Sequence, residues 1–385
     1  MRKTYKIKLY KDENNKHLHR VINLAGRAYN HAIALHKRYY KLTGKSLNKF
    51  ALMKHFTKLK KRPRFAWLKL IPSQALQDVV DRIDQGYQLF FRNLKQGIKT
   101  APPSFRKVIK CKSYTLKQAG WRWVSERKIK IDGRIYKLVN DRLPCGTIKT
   151  ITLKRDKLNH LYACFSVALD IPIPETMTGK IAGFDFGLKD FLTIHDGQDT
   201  ARIASPLFFK QAVAKVKKLN KILSGKKKGS KARKRAKYTL ARLHKRIADK
   251  RRDFFFKLAH TLTDTYDVLV FEDLNLKGMV KMWGRKVSDL AFAEFLNILQ
   301  YLAQIKGCVV HLIDRFYPSS KTCHACGHIN KDLQLKDRYW RCPSCNKSND
   351  RDENASMNIR SEGIRSLGLA DVRPQSMGLS VLEAV

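Results

Sequence analysis

Two cysteine pairs, Cys323-His-Ala-Cys326 and Cys342-Pro-Ser-Cys345, stand fifteen residues apart. Each pair makes a tight turn that aims two thiolates at one point, and the segment between them is too short to build a core of its own. Four sulfur donors at this spacing describe a closed tetrahedral site, and Zn2+ is the ion that suits it. His324 and His328 could replace a ligand, but the four cysteines make them unnecessary. A closed site leaves no position for water, so this zinc is structural. Cys111, Cys145, Cys164 and Cys308 are scattered. A reducing compartment and a role as small buried hydrophobes account for them better than disulfides.

The charge balance sets the partner. Against 79 Lys+Arg the chain has 32 Asp+Glu, a formal net charge of +47. Such a surplus repels itself unless a polyanion neutralises it. Nucleic acid fits best, because each phosphate contact releases counterions; a bland basic surface or an anionic membrane face is the lesser alternative. No apolar run approaches the ~20 residues needed to span a bilayer. The start, "MRKTYKIKLYKDENNK", lacks the apolar centre of a signal peptide. The expected location is the cytoplasm, at the nucleoid if the source is prokaryotic, with no membrane partner.

Periodicity then divides the chain. After a strand-like start, Tyr5 to Tyr10, residues 17–98 read as helical, the first helix stopping at Gly44. In "IPSQALQDVVDRIDQGYQLFFRNLKQG", Ser73 is the expected N-cap. Leu76, Val79, Val80, Ile83, Tyr87, Phe90, Phe91 and Leu94 form one stripe, read as core rather than as a base-stacking surface. Residues 100–178 give short alternating runs, among them "RKIKIDGRIYKLV", a hairpin turning at Asp132-Gly133. With the first strand they suggest a small β-barrel, 1–12 and 100–178, interrupted by a helical domain, 13–99.

"IPIPETMTG", Ile171 to Gly179, is a proline-marked linker. Strands "KIAGFDFGL", "DFLTIHDG" and "TARIASPLF" follow, then a basic helical hairpin across 210–257. The density of Lys and Arg there reads as a phosphate-tracking surface rather than merely a solvated face. A buried strand "DVLVFEDL", a helix from about Asp289 to Ile305 and the strand "CVVHLID" complete the order. Three hairpin strands, helix, strand, helix, strand is the order of the ribonuclease-H-like fold, which carries carboxylates at strand ends on one side of a mixed sheet. The tail 366–385 has no strong pattern and is expected to be disordered or dispensable.

Three acids stand out in that order. Asp185 lies mid-strand in "GFDFGL", where a lone aspartate is costly unless it is paired or binds a cation. Glu272 closes the apolar run Val268 to Phe271. In "NDRDENASMNI", Asp350 with Glu353 would make a capping box, which projects Asp352 from the first helical turn. Singly, each acid could be a cap, a turn or an ion pair. Together they suit two-metal phosphodiester hydrolysis, one Mg2+ (or Mn2+) activating water and the other stabilising the leaving 3′ oxygen, with Asp185 bridging both. Arg338 and Arg351 could clamp the scissile phosphate, or be ordinary exposed or ion-paired arginines. Tyr339 and Trp340 are expected to pack the ribbon.

"GFDFGLKDF", "VFEDLNLKGM", "YPSSKTCHACG" and "CPSC…DRDENASMNI" resemble the three RuvC motifs and the zinc insertion of the TnpB family. These are transposon-encoded nucleases regarded as ancestors of the type V CRISPR effectors. The likeness extends through "PSQALQ" to nearly the whole chain, and none of the three acids departs from the pattern. It implies an α/β fold plus β-barrel: an RNase-H-like (RuvC) nuclease domain, 179–317 and 349–365, with a zinc-ribbon insertion, 318–348. It implies an RNA-guided DNA endonuclease whose partners are a transposon-end guide RNA and target double-stranded DNA. Under that reading, the hairpin 210–257 and the barrel hold guide RNA or heteroduplex. Ser73, Gln74 and Gln77 are candidate readers of a target-adjacent motif, because Gln can address base edges. The rivals are a catalytically idle RNA-guided DNA-binding repressor, a transposase proper, and a zinc-ribbon RNA-binding protein without catalysis.

Overall fold

Strand β1 (Arg2–Lys8) alternates basic and apolar residues and pairs antiparallel with β7 (Leu161–Ala168). The computed structural model describes residues 2–117, 119–139, 143–169, 178–275, 278–279, 281, 284, 289–334 and 336–369. Most of the linker read at 171–179, and the tail beyond 369, lie outside them. The chain forms two units, Met1–Asp170 and Ile171–Val385.

In the first unit, β1 joins a four-stranded antiparallel sheet ordered β1-β7-β6-β2, with β2 at Ser113–Leu116 and β6 at Thr147–Arg155. A second sheet holds β3 (Trp121–Ser125), β4 (Lys128–Ile131) and β5 (Arg134–Lys137). Asp132 and Gly133 take φ of 47° and 79°, the two left-handed residues that a tight β4–β5 hairpin requires. A single bridge, Leu9 to Leu138, joins the two sheets. Among the described pairings the two sheets are linked at this bridge and no closed ring of strands is present.

Three helices intervene between β1 and β2: α1 (Asn15–Thr43), α2 (Lys49–Leu59) and α3 (Ser73–Lys95), with a 3-10 segment at Pro63–Leu70. Helix α1 ends at Gly44 as expected, its N–H closing on the Tyr40 carbonyl at 2.8 Å. Helix α3 departs from expectation twice. Pro72, not Ser73, is its N-cap, and Ser73 is the first helical residue. Its stripe is core only over the first turns: Leu76, Val79, Val80 and Ile83 are buried, whereas Phe91 and Leu94 are 44% and 50% exposed. The buried half is clipped to β2, where Asp78 accepts from the Thr115 N–H at 3.0 Å and pairs with Arg82 at 2.9 Å.

The second unit is built on one mixed sheet ordered β10-β9-β8-β11-β12. Strands β8 (Ile181–Asp185), β9 (Asp190–His195) and β10 (Thr200–Ala204) form the antiparallel part. Strand β11 (Val268–Glu272) runs parallel to both β8 and β12 (Val309–Ile313). This is the ribonuclease-H-like order. The basic stretch forms the expected hairpin, α4 (Phe208–Ser224) and α5 (Lys231–Thr265). Along α5, buried residues begin only at Ile247, so the Lys/Arg-rich half is solvated. Strand side chains alternate between two cores. Ala182, Phe184, Leu269 and Phe271 meet Phe255 of α5 and Phe295 of α6 (Phe292–Lys306), whereas Ile181, Val268, Val270 and Ile313 meet Ile359 of α7 (Arg351–Leu367). No helix among the described residues is long and apolar enough to cross a membrane.

Candidate active site

The same alternation decides where the acids point. Asp185 follows Ile181 and Gly183 on the α7 side of β8, and Glu272 follows Val268 and Val270 on the α7 side of β11. Asp185 is the last residue of its strand rather than mid-strand, and the Phe184–Phe271 register sets Glu272 alongside it. Helix α7 lies directly on this face because Gly183 has no side chain. A Cβ there would stand 2.2 Å from the Ser356 carbonyl oxygen and 2.5 Å from the Arg360 nitrogen. Asp352, one turn before Ser356, is thereby brought to the strand ends.

The start of α7 is fixed from both sides. Asp350 caps it, one carboxylate oxygen accepting from the Asp352 and Glu353 N–H groups at 3.0 Å each. Burial alone would raise the Asp350 pKa, but the Glu353 N–H and Arg202, at 2.9 Å on β10, hold it below the ordinary range. The reciprocal half of the capping box is replaced: the Glu353 carboxylate accepts from the Thr200 hydroxyl at 3.3 Å.

Like charges meet at this corner. Burial, then the Glu272 and Asp352 charges, push the Asp185 carboxyl well above its usual range, with Arg351 and Arg338 opposing. Burial also raises Glu272, against a hydrogen bond donated by the Ser319 hydroxyl and the charge of Arg351. Asp352 is held by Arg338, whose Nη1 lies 3.1 Å from both carboxylate oxygens. Arg351 Nη1 donates instead to the Gln334 carbonyl at 2.8 Å. Three hard oxygen donors, one of them driven toward protonation by burial and then by its neighbours, are a donor set that a divalent cation would relieve.

The cysteines assemble differently. Cys323 and Cys345 sulfurs lie 3.7 Å apart and those of Cys326 and Cys342 lie 3.6 Å apart. Zn–S bonds of ~2.3 Å in a tetrahedron space sulfurs by ~3.8 Å, whereas a disulfide requires ~2.05 Å. The four are the only group of three or more such ligands gathered within 4.8 Å among the described residues. Backbone N–H groups of Cys345 and Ser344 lower the Cys342 thiol against the effect of burial, while the Cys345 thiol beside it is raised, as expected of sulfurs that share one site. A two-stranded ribbon, β13 (Tyr339–Arg341) and β14 (Ser348–Asp350), carries the second pair into Asp350 itself. Trp340 packs with Cys323, Cys342 and Leu333 as expected, but Tyr339 is 75% exposed.

Sequence reasoning missed the residues that lace ribbon to helix. Asn354 and Asn358, one turn apart on α7, donate to the Thr322 carbonyl at 2.7 and 2.6 Å, and Asn358 also donates to Ser319 at 2.7 Å. His324, set aside as a ligand, donates its backbone N–H to Asn354 at 2.9 Å and meets the Asn358 oxygen at 3.1 Å. Two asparagines at i and i+4 inside "DENASMNI" were the available signal. In the other unit, the Gln74 oxygen accepts from the Lys117 N–H at 2.6 Å, so it serves the α3–β2 clip, while Ser73 and Gln77 are exposed.

Comparison with known proteins gives matches along most of the chain. The family model described as "Probable transposase" matches residues 164–282, and that described as "Cas12f1-like, TNB domain" matches 292–359. A "Putative RNA-guided DNA endonuclease" of Streptomyces pristinaespiralis is 28% identical over 97% of this chain and 93% of its own length. The "TnpB-like protein L79" of Acanthamoeba polyphaga mimivirus is 31% identical over 56% of this chain, which spans 44% of that relative's length. A solved structure described as "Cryo-EM structure of the Cas12f1-sgRNA-target DNA complex" shares the fold, with a TM-score of 0.62 at 14% identity over 94% of this chain and 98% of its own. In motif text, cysteine insert and sheet order, the chain is similar over nearly its full length to TnpB-like proteins and RNA-guided DNA endonucleases.

Proposed function

We propose that the protein is an RNA-guided DNA endonuclease that binds a guide RNA and double-stranded DNA and hydrolyses DNA at a single site. The observation that carries the reading is the convergence of Asp185, Glu272 and Asp352 at one corner of a ribonuclease-H-like sheet, with the Asp185 carboxyl raised by burial first and by the charges of the other two next. These three are the proposed ligands that would hold Mg2+, with Mn2+ as a substitute. Divalent ions held there would supply an activated water and stabilisation of the leaving 3′ oxygen.

The protein's own groups do the rest. Ser319 holds Glu272 in place. Arg338 must release Asp352 for that carboxylate to bind a cation, and the freed guanidinium then suits an equatorial phosphate oxygen. Arg351 remains on the Gln334 carbonyl and adds positive potential. The four cysteines hold structural Zn2+, which fixes the ribbon and through it α7. The N-terminal sheets, read as a barrel-like domain over 1–12 and 100–178, and the hairpin 210–257 supply a shape-reading basic surface. Ser73 and Gln77 are the exposed residues left to read a target-adjacent motif, and Gln74 joins them only by giving up Lys117.

The test is to purify the protein with its RNA, sequence that RNA and offer a matched duplex with Mg2+. Guide-dependent cutting that vanishes in Asp185→Ala is expected. Absence of a guide-like RNA, or equal cutting by the variant, overturns the reading.

A further inference from the structure

Lys16, Arg20 and Arg27 recur along one face of α1 and, with Leu24, form one wall of an open groove of about 550 Å3. Trp67 and Leu70 of the 3-10 segment form the opposite wall. The volume is in the ~300–1,000 Å3 range of ligand clefts. Its chemistry is divided: cations on the helix side, an indole and aliphatic carbons facing them. Arg27 stands over the Trp67 ring, 5.2 Å from its centroid, which fixes the indole as a side of the slot. The Asn23 oxygen at the base accepts from Arg155 of β6 at 2.9 Å, tying the groove to the sheet.

The cations are available. Lys16 meets Glu13 at 2.8 Å, but with side chains 79% and 88% exposed that pair exchanges freely with water. Among the described residues no carboxylate pairs with Arg20 or Arg27. An acidic peptide would use the cations and leave the indole idle, and an apolar ligand would do the reverse. A nucleotide uses both, since phosphate meets guanidinium and a planar base meets an aromatic ring.

We propose that this groove holds one unpaired nucleotide of a bound nucleic acid, its phosphate against Arg20, Lys16 and Arg27 and its base against Trp67 and Leu70. This rests on the nucleic-acid reading above and adds a place for a base that is out of any duplex. Either RNA or DNA could supply it, and the test separates them.

The full chain is titrated with fluorescein-labelled uridine and thymidine dodecamers, and with the same backbones lacking bases. The wild type should prefer base-bearing over abasic strands by about 10-fold, the scale of one stacked base. Trp67→Ala should remove the preference, Trp67→Phe should keep most of it, and Arg20→Ala should weaken both strands alike and lower the salt slope by about 1. A preference unchanged in a folded Trp67→Ala, or absent from the wild type, overturns the proposal. If Trp67→Ala does not fold, photocrosslinking with 5-iodouracil dodecamers decides on the wild type. A crosslink on Trp67 supports the groove and names the strand type, and crosslinks only elsewhere overturn it. Guide-dependent cutting is measured alongside. Cutting with no Trp67 effect removes the groove alone, whereas a Trp67 effect in a protein that never cuts removes the nuclease reading alone.

Discussion

The four cysteines and the three acids are both metal-type donor sets, yet they are assembled by opposite means. The sulfurs come from one short segment and already stand at ligand spacing, 3.6 and 3.7 Å across two pairs. The carboxylates come from two parallel strands and a helix start, and two of them are held by protein partners, Glu272 by Ser319 and Asp352 by Arg338. The first set is closed and satisfied; the second is left charged, crowded and adjustable. A structural ion needs donors that cannot leave, whereas hydrolysis needs donors that can be exchanged and a coordination sphere with room for water. The asparagine lacing of α7 couples the two, because it hangs the third acid on the closed knot.

The largest expected effects test that coupling. Asp185→Ala should cut guided cleavage by ~10³-fold or more, with zinc content and fold retained. Cys342→Ser should lose zinc and cleavage together, since a structural zinc is worth ~10 kcal/mol or more in isolated ribbons. Metal analysis beside the cleavage assay reads both, and a Cys342→Ser protein that lacks zinc but cuts normally breaks the link. Asn358→Ala deletes the laces to Ser319 and Thr322 while sparing both donor sets. Zinc should stay, stability should fall by ~1–3 kcal/mol and cleavage by roughly tenfold, seen by denaturant melts and single-turnover rates. Arg338→Gln should tighten divalent-ion binding by about 3-fold while slowing cleavage, a split that isothermal titration separates from a simple loss of structure.

The smallest effect lies in the first unit. His31 and His55 of α1 and α2 face each other at 3.1 Å, and burial first, then neighbouring positive groups, lowers both pKa values: Arg38 for His31, and His31 with Arg62 for His55. The unfolded chain therefore takes up protons that the fold resists, so stability falls as pH drops below the ordinary histidine value of ~6.5. Thermal melts from neutral to mildly acidic pH should show this loss, and His31→Phe should flatten it by under ~1 kcal/mol. An unchanged slope would show that the pair is already broken in solution.

Much of the second unit was legible from residues alone, because each signal was local or periodic. The cysteine spacing, the alternation in "DVLVFEDL" and the Asp350 cap each need only neighbours to be read. The sequence separates Asp352 from Asp350 because a cap consumes its carboxylate, and the structure gives Asp350 that task. What escaped was long-range. No local pattern says that Phe91 and Leu94 emerge from the core while Leu76 and Ile83 stay in it, since that depends on where β2 ends. Nor could Ser319, which lies far from Glu272 in the chain, be paired with it before the sheet was known. The Gln74 contact is long-range in the same way: helix-surface polarity is visible in the sequence, and the Lys117 partner is not.

The bare backbone seam at Gly183 also has a consequence in time. The strand that carries the first acid leaves the ribosome long before the helix that must lie on it, and the cysteine knot is made in between. A nascent or prematurely ended chain therefore carries the basic arms and two of the acids without the third. Under the function proposed above, such a fragment lacks one of the three proposed metal ligands, so it should bind nucleic acid without cutting it.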